Sequence, residues 1–341
     1  MSANQQRLLA AGAAIKKVDV AVGYGNGSKL SVYPWDAGFG SKYSDPATLP
    51  SNESRGVVFS PSGDTLVVAH VITPFIMAYP WSSGFGTKYS DPATLPAGDG
   101  NAIAFSSAGN AIAIAHNNSP YVSVYPWSAG FGSKYSDPAT LPTGTGNGVA
   151  FSPSGNDIAI GHATSPYISA YPWSSGFGTK YSNPATLPAG DAQEVAFSPN
   201  GNDIAVAHSN SPFVTAYPWS SGFGTKYSDP ATLPLVLGFT LSFSATGGSI
   251  VVGHISSPFV TAYPWSSGFG TKYSDPSAPL AGTGRSVSFT PSNNDVALGH
   301  NTTPFISAYT WNTVSGFGTK YANPATLPSG SGVSCAFSPE Y

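Results

Sequence analysis

The sequence of 341 residues has little charge and almost no cysteine. Only 9% of its residues are Asp, Glu, Lys or Arg, against about a quarter in an ordinary globular chain. The net charge is −3 and there is no basic run, so we expect neither nucleic acid nor a membrane as a partner. The one cysteine, Cys335, cannot form an internal disulfide. No Cys/His spacing resembles a zinc site, and we expect no metal and no cofactor.

Long hydrophobic runs are also missing. No stretch is long enough to span a bilayer. The apolar run from Leu8 to Ala14 is at the short limit for the core of a signal peptide, so we do not expect secretion by that route. We predict a short helix or arm over residues 1–15, and a location in a virion or in the cytoplasm.

What the chain does contain is a regular internal period. Its seven tryptophans are spaced 46 residues apart, at Trp35, Trp81, Trp127, Trp173, Trp219, Trp265 and Trp311. Six histidines keep the same interval, at His70, His116, His162, His208, His254 and His300. Such a unit cannot bury its apolar face alone and must stack on its neighbours.

One copy of the repeat reads as four strands. Residues 148–152, 157–162 and 167–171 are short apolar or alternating runs separated by turn signals. Residues 176–181 form a weaker fourth pattern, which two prolines end. Four strands and 46 residues per unit are typical of a propeller blade.

We therefore predict an all-β fold, a seven-bladed β-propeller over residues 16–341 with four antiparallel strands per blade. The chain begins inside a blade, because residues 18–24 match the second strand, and residues 333–339 match the first strand. We expect the C-terminal inner strand to close the ring by joining the N-terminal strands.

The run from Val149 to Tyr171 resembles a WD-repeat blade, and it is similar to the repeats of lactonase-like propellers. The Trp-Asp pair occurs only at Trp35-Asp36, and Gly161-His162 precedes Trp173 by only eleven residues. The hydrogen-bond tetrad of the WD family is therefore not carried over. The repeated Gly-Phe-Gly-Thr-Lys-Tyr-Ser-Asp-Pro segment is similar to repeat arrays in tailed-phage proteins.

The repeated histidines and aromatic residues favour packing over chemistry. Equivalent residues on adjacent blades lie about 10 Å apart, whereas ligands of one zinc ion lie within about 4 Å of each other. We expect partly buried histidines that are hydrogen-bonded to a neighbouring loop, and aromatic rings that fill the space between blades. Exposed rings that stack on sugars are the alternative. The rare residues form no catalytic triad or carboxylate pair, so we expect no catalytic residues.

Variation between the copies is concentrated in the loops of one face, which makes that face the candidate recognition surface. Three apolar residues replace glycine and polar residues in one of these loops, and they either plug the axial channel or contact a partner. The candidate partner-binding residues are Glu53, Arg55, Asp99, Asp191, Leu235, Val236, Leu237 and Arg285.

The sequence thus predicts a non-catalytic, rigid interaction module, a phage virion component that attaches to other virion proteins through its N-terminal arm. A carbohydrate-binding lectin with glycan partners is the first alternative. A hydrolase or lactonase with an axial site is the second.

Overall fold

A computed structural model describes residues 17–25 and 29–341, so the predicted arm over residues 1–15 lies outside the described residues. The described part of the chain is all-β and contains 22 strands. No helix in it is long and apolar enough to cross a membrane. The strands are β1 (Val18–Tyr24), β2 (Leu30–Trp35), β3 (Ser54–Phe59), β4 (Thr65–His70), β5 (Ile76–Pro80), β6 (Gly100–Phe105), β7 (Ala111–His116), β8 (Val122–Pro126), β9 (Gly146–Phe151), β10 (Asp157–His162), β11 (Ile168–Pro172), β12 (Ala192–Phe197), β13 (Asp203–His208), β14 (Val214–Pro218), β15 (Gly238–Phe243), β16 (Ser249–His254), β17 (Val260–Pro264), β18 (Gly284–Phe289), β19 (Asp295–His300), β20 (Ile306–Asn312), β21 (Gly316–Lys320) and β22 (Gly332–Phe337).

The strands form seven antiparallel sheets, one for each copy of the repeat. Six sheets are continuous in sequence, such as β9-β10-β11. The seventh joins the two ends of the described chain, because β22 pairs with β1 and β1 pairs with β2. The first strands β3, β6, β9, β12, β15, β18 and β22 contact one another in that order, and β22 also contacts β3. Seven blades therefore face a common centre.

The expectation of four strands per blade is wrong for six of the seven blades. Among the described strands only β18-β19-β20-β21 form a four-stranded sheet, and elsewhere the fourth segment makes one isolated bridge, such as Trp173 with Phe177. The third strand of these six blades carries a proline before its tryptophan, which removes a backbone donor from the edge. In the last blade Thr310 replaces that proline, its hydroxyl accepts from the Thr319 amide, and the following turn is two residues longer.

Blades pack because alternate residues of the second strand differ in size. In β10, Ile158 and Ile160 point to one face and contact the small residues of the preceding blade, including Ala113. Ala159 points to the other face and contacts the next blade, including Val206. All these residues are buried. A large face against a small face lets successive sheets interdigitate at native packing density.

An aspartate at the start of the second strand links neighbouring blades. The Asp157 carboxylate accepts a hydrogen bond of 2.7 Å from the Tyr181 hydroxyl of its own blade and one of 3.2 Å from Trp219 Nε1 of the next blade. Asp19, Asp203 and Asp295 make the same pair of bonds with their own tyrosine and the next tryptophan. The repeated Trp and Tyr thus hold the blades together, and the seven Trp side chains are only 3–7% exposed.

Candidate functional site

The first strands of all seven blades line one central cavity of about 380 Å³. A β-bulge in each first strand supplies its polar lining. In β12, Ala192 pairs with His208 while Glu194 pairs with Ala207, so Gln193 is the extra residue of the bulge. The same slip occurs in the other six blades. A bulge turns its extra side chain away from the ladder, here into the cavity.

We call these seven extra residues the bulge ring. It consists of Arg55, Asn101, Asn147, Gln193, Phe239, Arg285 and Val333. The backbone around these residues repeats from blade to blade, whereas the side chains include two cations, three amides, one aromatic ring and one aliphatic group. The cavity is therefore chemically asymmetric inside a nearly symmetric frame.

Hydrogen bonds hold one arc of the bulge ring in place. Arg55 donates from Nε to Glu53 Oε2 over 3.1 Å and from Nη1 to Asn101 Oδ1 over 2.8 Å. Asn101 then donates from Nδ2 to the Gly146 carbonyl, and Asn147 donates to the Ala192 carbonyl. Because each amide is tied to the first strand of the next blade, this arc presents fixed donors and acceptors to the cavity.

Arg285 has more free hydrogen-bonding capacity than Arg55. Its guanidinium lies over the Phe239 ring, with 5.2 Å from Cζ to the ring centroid. Its Nε is buried without a hydrogen-bond partner in the part of the chain that the structure describes. The strands that carry Arg285 and Arg55, β18 and β3, flank β22, so one side of the cavity is cationic. A buried donor without a partner is costly, and an anionic or carbonyl oxygen would remove that cost.

Glu194 is the acidic group with the strongest perturbation in the cavity. It lies beside Gln193, three blades along from Arg55 and two before Arg285. Burial raises the pKa of Glu194 to about 8, and a hydrogen bond of 3.1 Å from the Val195 amide to Oε1 opposes that shift. A carboxyl group that titrates near neutrality can act as a general acid or base.

Gly148 makes room for this carboxyl group. A Cβ atom at Gly148 would lie 2.9 Å from Glu194 Cα and 3.0 Å from Glu194 Oε1. Other blades carry only small residues at the position of Glu194, such as Ser286 and Ser334. The acid is therefore a feature of one blade, accommodated by a glycine on its neighbour.

Cys335 also lines the cavity. Burial raises the pKa of its thiol to about 11. At neutral pH the group is a neutral thiol and not a thiolate nucleophile. It therefore contributes packing to the cavity wall.

The structure brings three of the predicted site residues together and leaves five apart. Glu53, Arg55 and Arg285 line the central cavity. Outside its lining are Asp99, Asp191, Leu235, Val236 and Leu237. Leu235 is 57% exposed, and the Leu235–Leu237 segment does not line the cavity.

Sequence reasoning missed several cavity residues, which are Asn101, Asn147, Gln193, Glu194 and Phe239. A signal for most of them was present in the chain itself. The second residue of the first strand differs in nearly every copy, whereas the surrounding residues are similar. Comparison of that single strand position between copies would have marked it as variable, although not as facing a cavity.

The histidines lie away from this cavity and are fully buried, not partly buried as expected. His162 is hydrogen-bonded through Nδ1 to the Thr164 carbonyl over 2.8 Å and through Nε2 to the Ser169 hydroxyl over 3.1 Å. The expected hydrogen bond to a neighbouring loop is confirmed there. His70 differs because Met77 replaces the hydroxyl partner, which leaves its Nε2 without a partner among the residues that the structure describes. Among the described residues no group of three or more His, Cys, Asp or Glu is placed to hold a metal ion.

Comparison with known proteins finds no matching family model and no matching curated protein. Solved structures do match. A putative 6-phosphogluconolactonase of Bacteroides uniformis has a TM-score of 0.71 and 15% identity, over 94% of this chain and 99% of that one. A second putative 6-phosphogluconolactonase, from Bacteroides fragilis, has a TM-score of 0.71 and 12% identity, over 94% and 98%. The periplasmic gluconolactonase of Pseudomonas aeruginosa has a TM-score of 0.68 and 15% identity, over 94% and 99%.

These matches show that the chain shares the propeller fold of these structures. They do not extend to a WD-repeat or phage-tail likeness. The expectation of a non-catalytic virion module is contradicted, because the three neighbours are named for lactonases, which are hydrolytic enzymes, and none is named for a virion protein. The prediction that the chain is not an enzyme is contradicted by the same finding.

Proposed function

We propose that the chain is a hydrolase that opens a sugar lactone in the central cavity. The observation that carries the proposal is Glu194, a carboxyl group with a pKa of about 8 in a cavity that also contains Arg285 with an unpartnered Nε. The cavity volume of about 380 Å³ falls in the range of small-molecule sites. The names of the structural neighbours favour gluconolactone or its 6-phosphate as the substrate.

In the proposed reaction, ionised Glu194 removes a proton from water as the water oxygen attacks the lactone carbonyl. The carbonyl oxygen becomes an oxyanion, and the guanidinium of Arg285 stabilises it. The ring C–O bond then breaks, and protonated Glu194 returns its proton to the ring oxygen. The product is a hydroxy acid, which ionises and releases one proton.

The rest of the bulge ring binds and orients the substrate. The amides of Asn101, Asn147 and Gln193 match the hydroxyl groups of a sugar, since an amide both donates and accepts hydrogen bonds. Arg55 is already bonded to Glu53 and Asn101, so it serves as a positioning residue and adds positive charge. The proposal requires seven blades around the cavity, with β22, β1 and β2 as the blade that closes the ring.

The test is proton release from gluconolactone and from 6-phosphogluconolactone, measured against the spontaneous rate in the same buffer. We expect Glu194→Gln to lower kcat/KM by about 100-fold or more, since glutamine keeps the shape and cannot ionise. The matched control is Glu340→Gln, at an exposed position near the C-terminus, which should not change the rate.

The rate should rise with pH through about 8 as Glu194 ionises, and this rise should be absent in Glu194→Gln. Arg285→Met keeps the contact with Phe239 and removes the charge, and it should raise KM for the phosphorylated lactone more than for the neutral one. The proposal is wrong if neither lactone is opened above the spontaneous rate, or if Glu194→Gln retains full activity.

A further inference from the structure

Three of the seven blades lack the aspartate that begins the second strand of the others, and Thr65, Ala111 and Ser249 stand in its place; only Ala111 has no hydroxyl group. The blade of β6, β7 and β8 begins its second strand at Ala111, where Asp19, Asp157, Asp203 and Asp295 stand in four other blades. The two donors that would bind that carboxylate are the Tyr135 hydroxyl and Trp173 Nε1. Neither has a hydrogen-bond partner within the described ranges, residues 17–25 and 29–341.

The two rings keep the geometry that they have around an aspartate. Tyr135 and Trp173 lie edge to face, with 5.2 Å between ring centroids and 90° between planes. The corresponding pair around Asp157, Tyr181 and Trp219, has 5.4 Å and 86°. Since the rings are placed alike, both donors at the Ala111 interface point toward the space that a carboxylate fills elsewhere.

That interface contains a cavity of about 210 Å³. Trp173, which is 6% exposed, forms part of its wall. Ser107 takes the place of a proline found in most other copies of that turn, and this change adds a hydroxyl group. The other polar lining residues are Ser106, Asn110, Ser154, Asn156, Ser174 and Ser175.

The residues that line this cavity determine the charge and the functional groups of a ligand that could bind there. No Lys or Arg lines the cavity, so a dianion such as a phosphate ester would be desolvated without compensation. At four other interfaces a single carboxylate accepts hydrogen bonds from the same pair of donors. Hydroxyl and amide groups around it match the hydroxyl groups of a ligand.

We propose that the cavity between these two blades binds a small hydroxycarboxylate, whose carboxylate accepts a hydrogen bond from Trp173 Nε1 in place of the missing aspartate. The site is separate from the central cavity and does not depend on the activity proposed for that cavity.

The test uses the ¹H–¹⁵N signals of the seven tryptophan indole groups in the full chain. Trp173→Phe keeps the packing and removes one signal, which assigns it. Sodium lactate is titrated against sodium chloride at equal ionic strength, with lactamide as the neutral probe. We expect the Trp173 signal to move saturably with lactate and not with lactamide or chloride.

Two variants decide between this site and any other. Ala111→Asp supplies the carboxylate from the chain itself. It should raise the dissociation constant for lactate by about tenfold or more, which is the equivalent of one charge-assisted hydrogen bond. Trp219→Phe is the matched control, because its Nε1 already bonds to Asp157, and it should leave the response of Trp173 unchanged.

A Trp173 signal that stays fixed throughout the titration means that the cavity holds water only, and the proposal is then wrong. A shift that persists unchanged in Ala111→Asp, or that follows ionic strength alone, also overturns it. If Ala111→Asp does not fold, the neutral probe decides. The proposal is then wrong if lactamide shifts the Trp173 signal as much as lactate does. A lactate shift confined to Trp signals near the central cavity would refute this site and leave the proposed function standing.

Discussion

Lowering the pH from 7 to 5.5 should strongly destabilise this protein, because its buried histidines are neutral in the fold. Five of them have pKa values near 4 on account of burial, against 6.5 for an unperturbed histidine, and they are His116, His162, His208, His254 and His300. A depressed histidine pKa means that the unfolded chain binds protons first. Their stabilisation is therefore complete above pH 6.5 and is lost as the pH falls from 6.5 toward 4.

The magnitude follows from those values. Between pH 7 and pH 5.5 each such histidine costs about 1.2 kcal/mol of folding free energy, and the five together cost about 6 kcal/mol. The contribution of Glu194 to the free energy of unfolding has the opposite sign, because its raised pKa favours the folded chain as the pH falls. It offsets about 2 kcal/mol of the histidine loss over the same range. The net loss of about 4 kcal/mol is a large part of the 5–15 kcal/mol that is typical of folded proteins.

The assay is urea unfolding at pH 7, 6.5, 6 and 5.5 at constant ionic strength, monitored by tryptophan fluorescence. In His162→Gln the loss between pH 7 and 5.5 should be smaller by about 1 kcal/mol, since one titrating group is gone. The stability at pH 7 should fall, since the hydrogen bonds of His162 to Thr164 and Ser169 are replaced imperfectly. A free energy of unfolding that is constant from pH 7 to 5.5, or that rises, would mean that the buried histidines do not have depressed pKa values.

Three further variants test other parts of the structure. Ser249→Asp should stabilise the chain by about 1 kcal/mol in urea unfolding, because Trp311 Nε1 is buried without a partner among the described residues and the new carboxylate would accept a hydrogen bond from it; a destabilised variant would contradict this. Met77→Thr should raise the melting temperature by supplying a hydroxyl to the orphaned Nε2 of His70, and no change would mean that the nitrogen is already satisfied by water. Deletion of residues 333–341 removes β22 from its sheet and should abolish the cooperative transition in calorimetry, which full-length-like melting of the truncated chain would disprove.

Several expectations from the sequence stay predictions. They concern the absence of nucleic-acid and membrane partners, the location of the protein and the partner-binding role of the variable loops. If Leu235 to Leu237 contacts a partner, Leu237→Ser should weaken that contact by about 1 kcal/mol or more with the fold intact. A pull-down with this variant and a calorimetric control would show it.

The sequence alone is enough to predict the repeat, the first three strands of each blade and the number of blades. Alternation of Ile158, Ala159 and Ile160 within one short run predicts a strand with two different faces, and β10 is found there. The constant spacing of tryptophan and histidine predicts equivalent environments in each copy, and the tryptophans are buried between blades as expected. These properties are local, since they depend on period and side-chain size along a few residues.

Which residues meet at the centre depends on how the seven blades pack together. Arg55, Glu194 and Arg285 lie far apart in sequence, and a bulge that no composition signal marks turns the ring residues inward. The pKa of Glu194 depends on packing against the neighbouring blade at Gly148, and the fourth strand depends on whether its neighbour offers a backbone donor. Burial, convergence and edge pairing arise between segments that are distant along the chain, so a pattern read within one repeat cannot contain them.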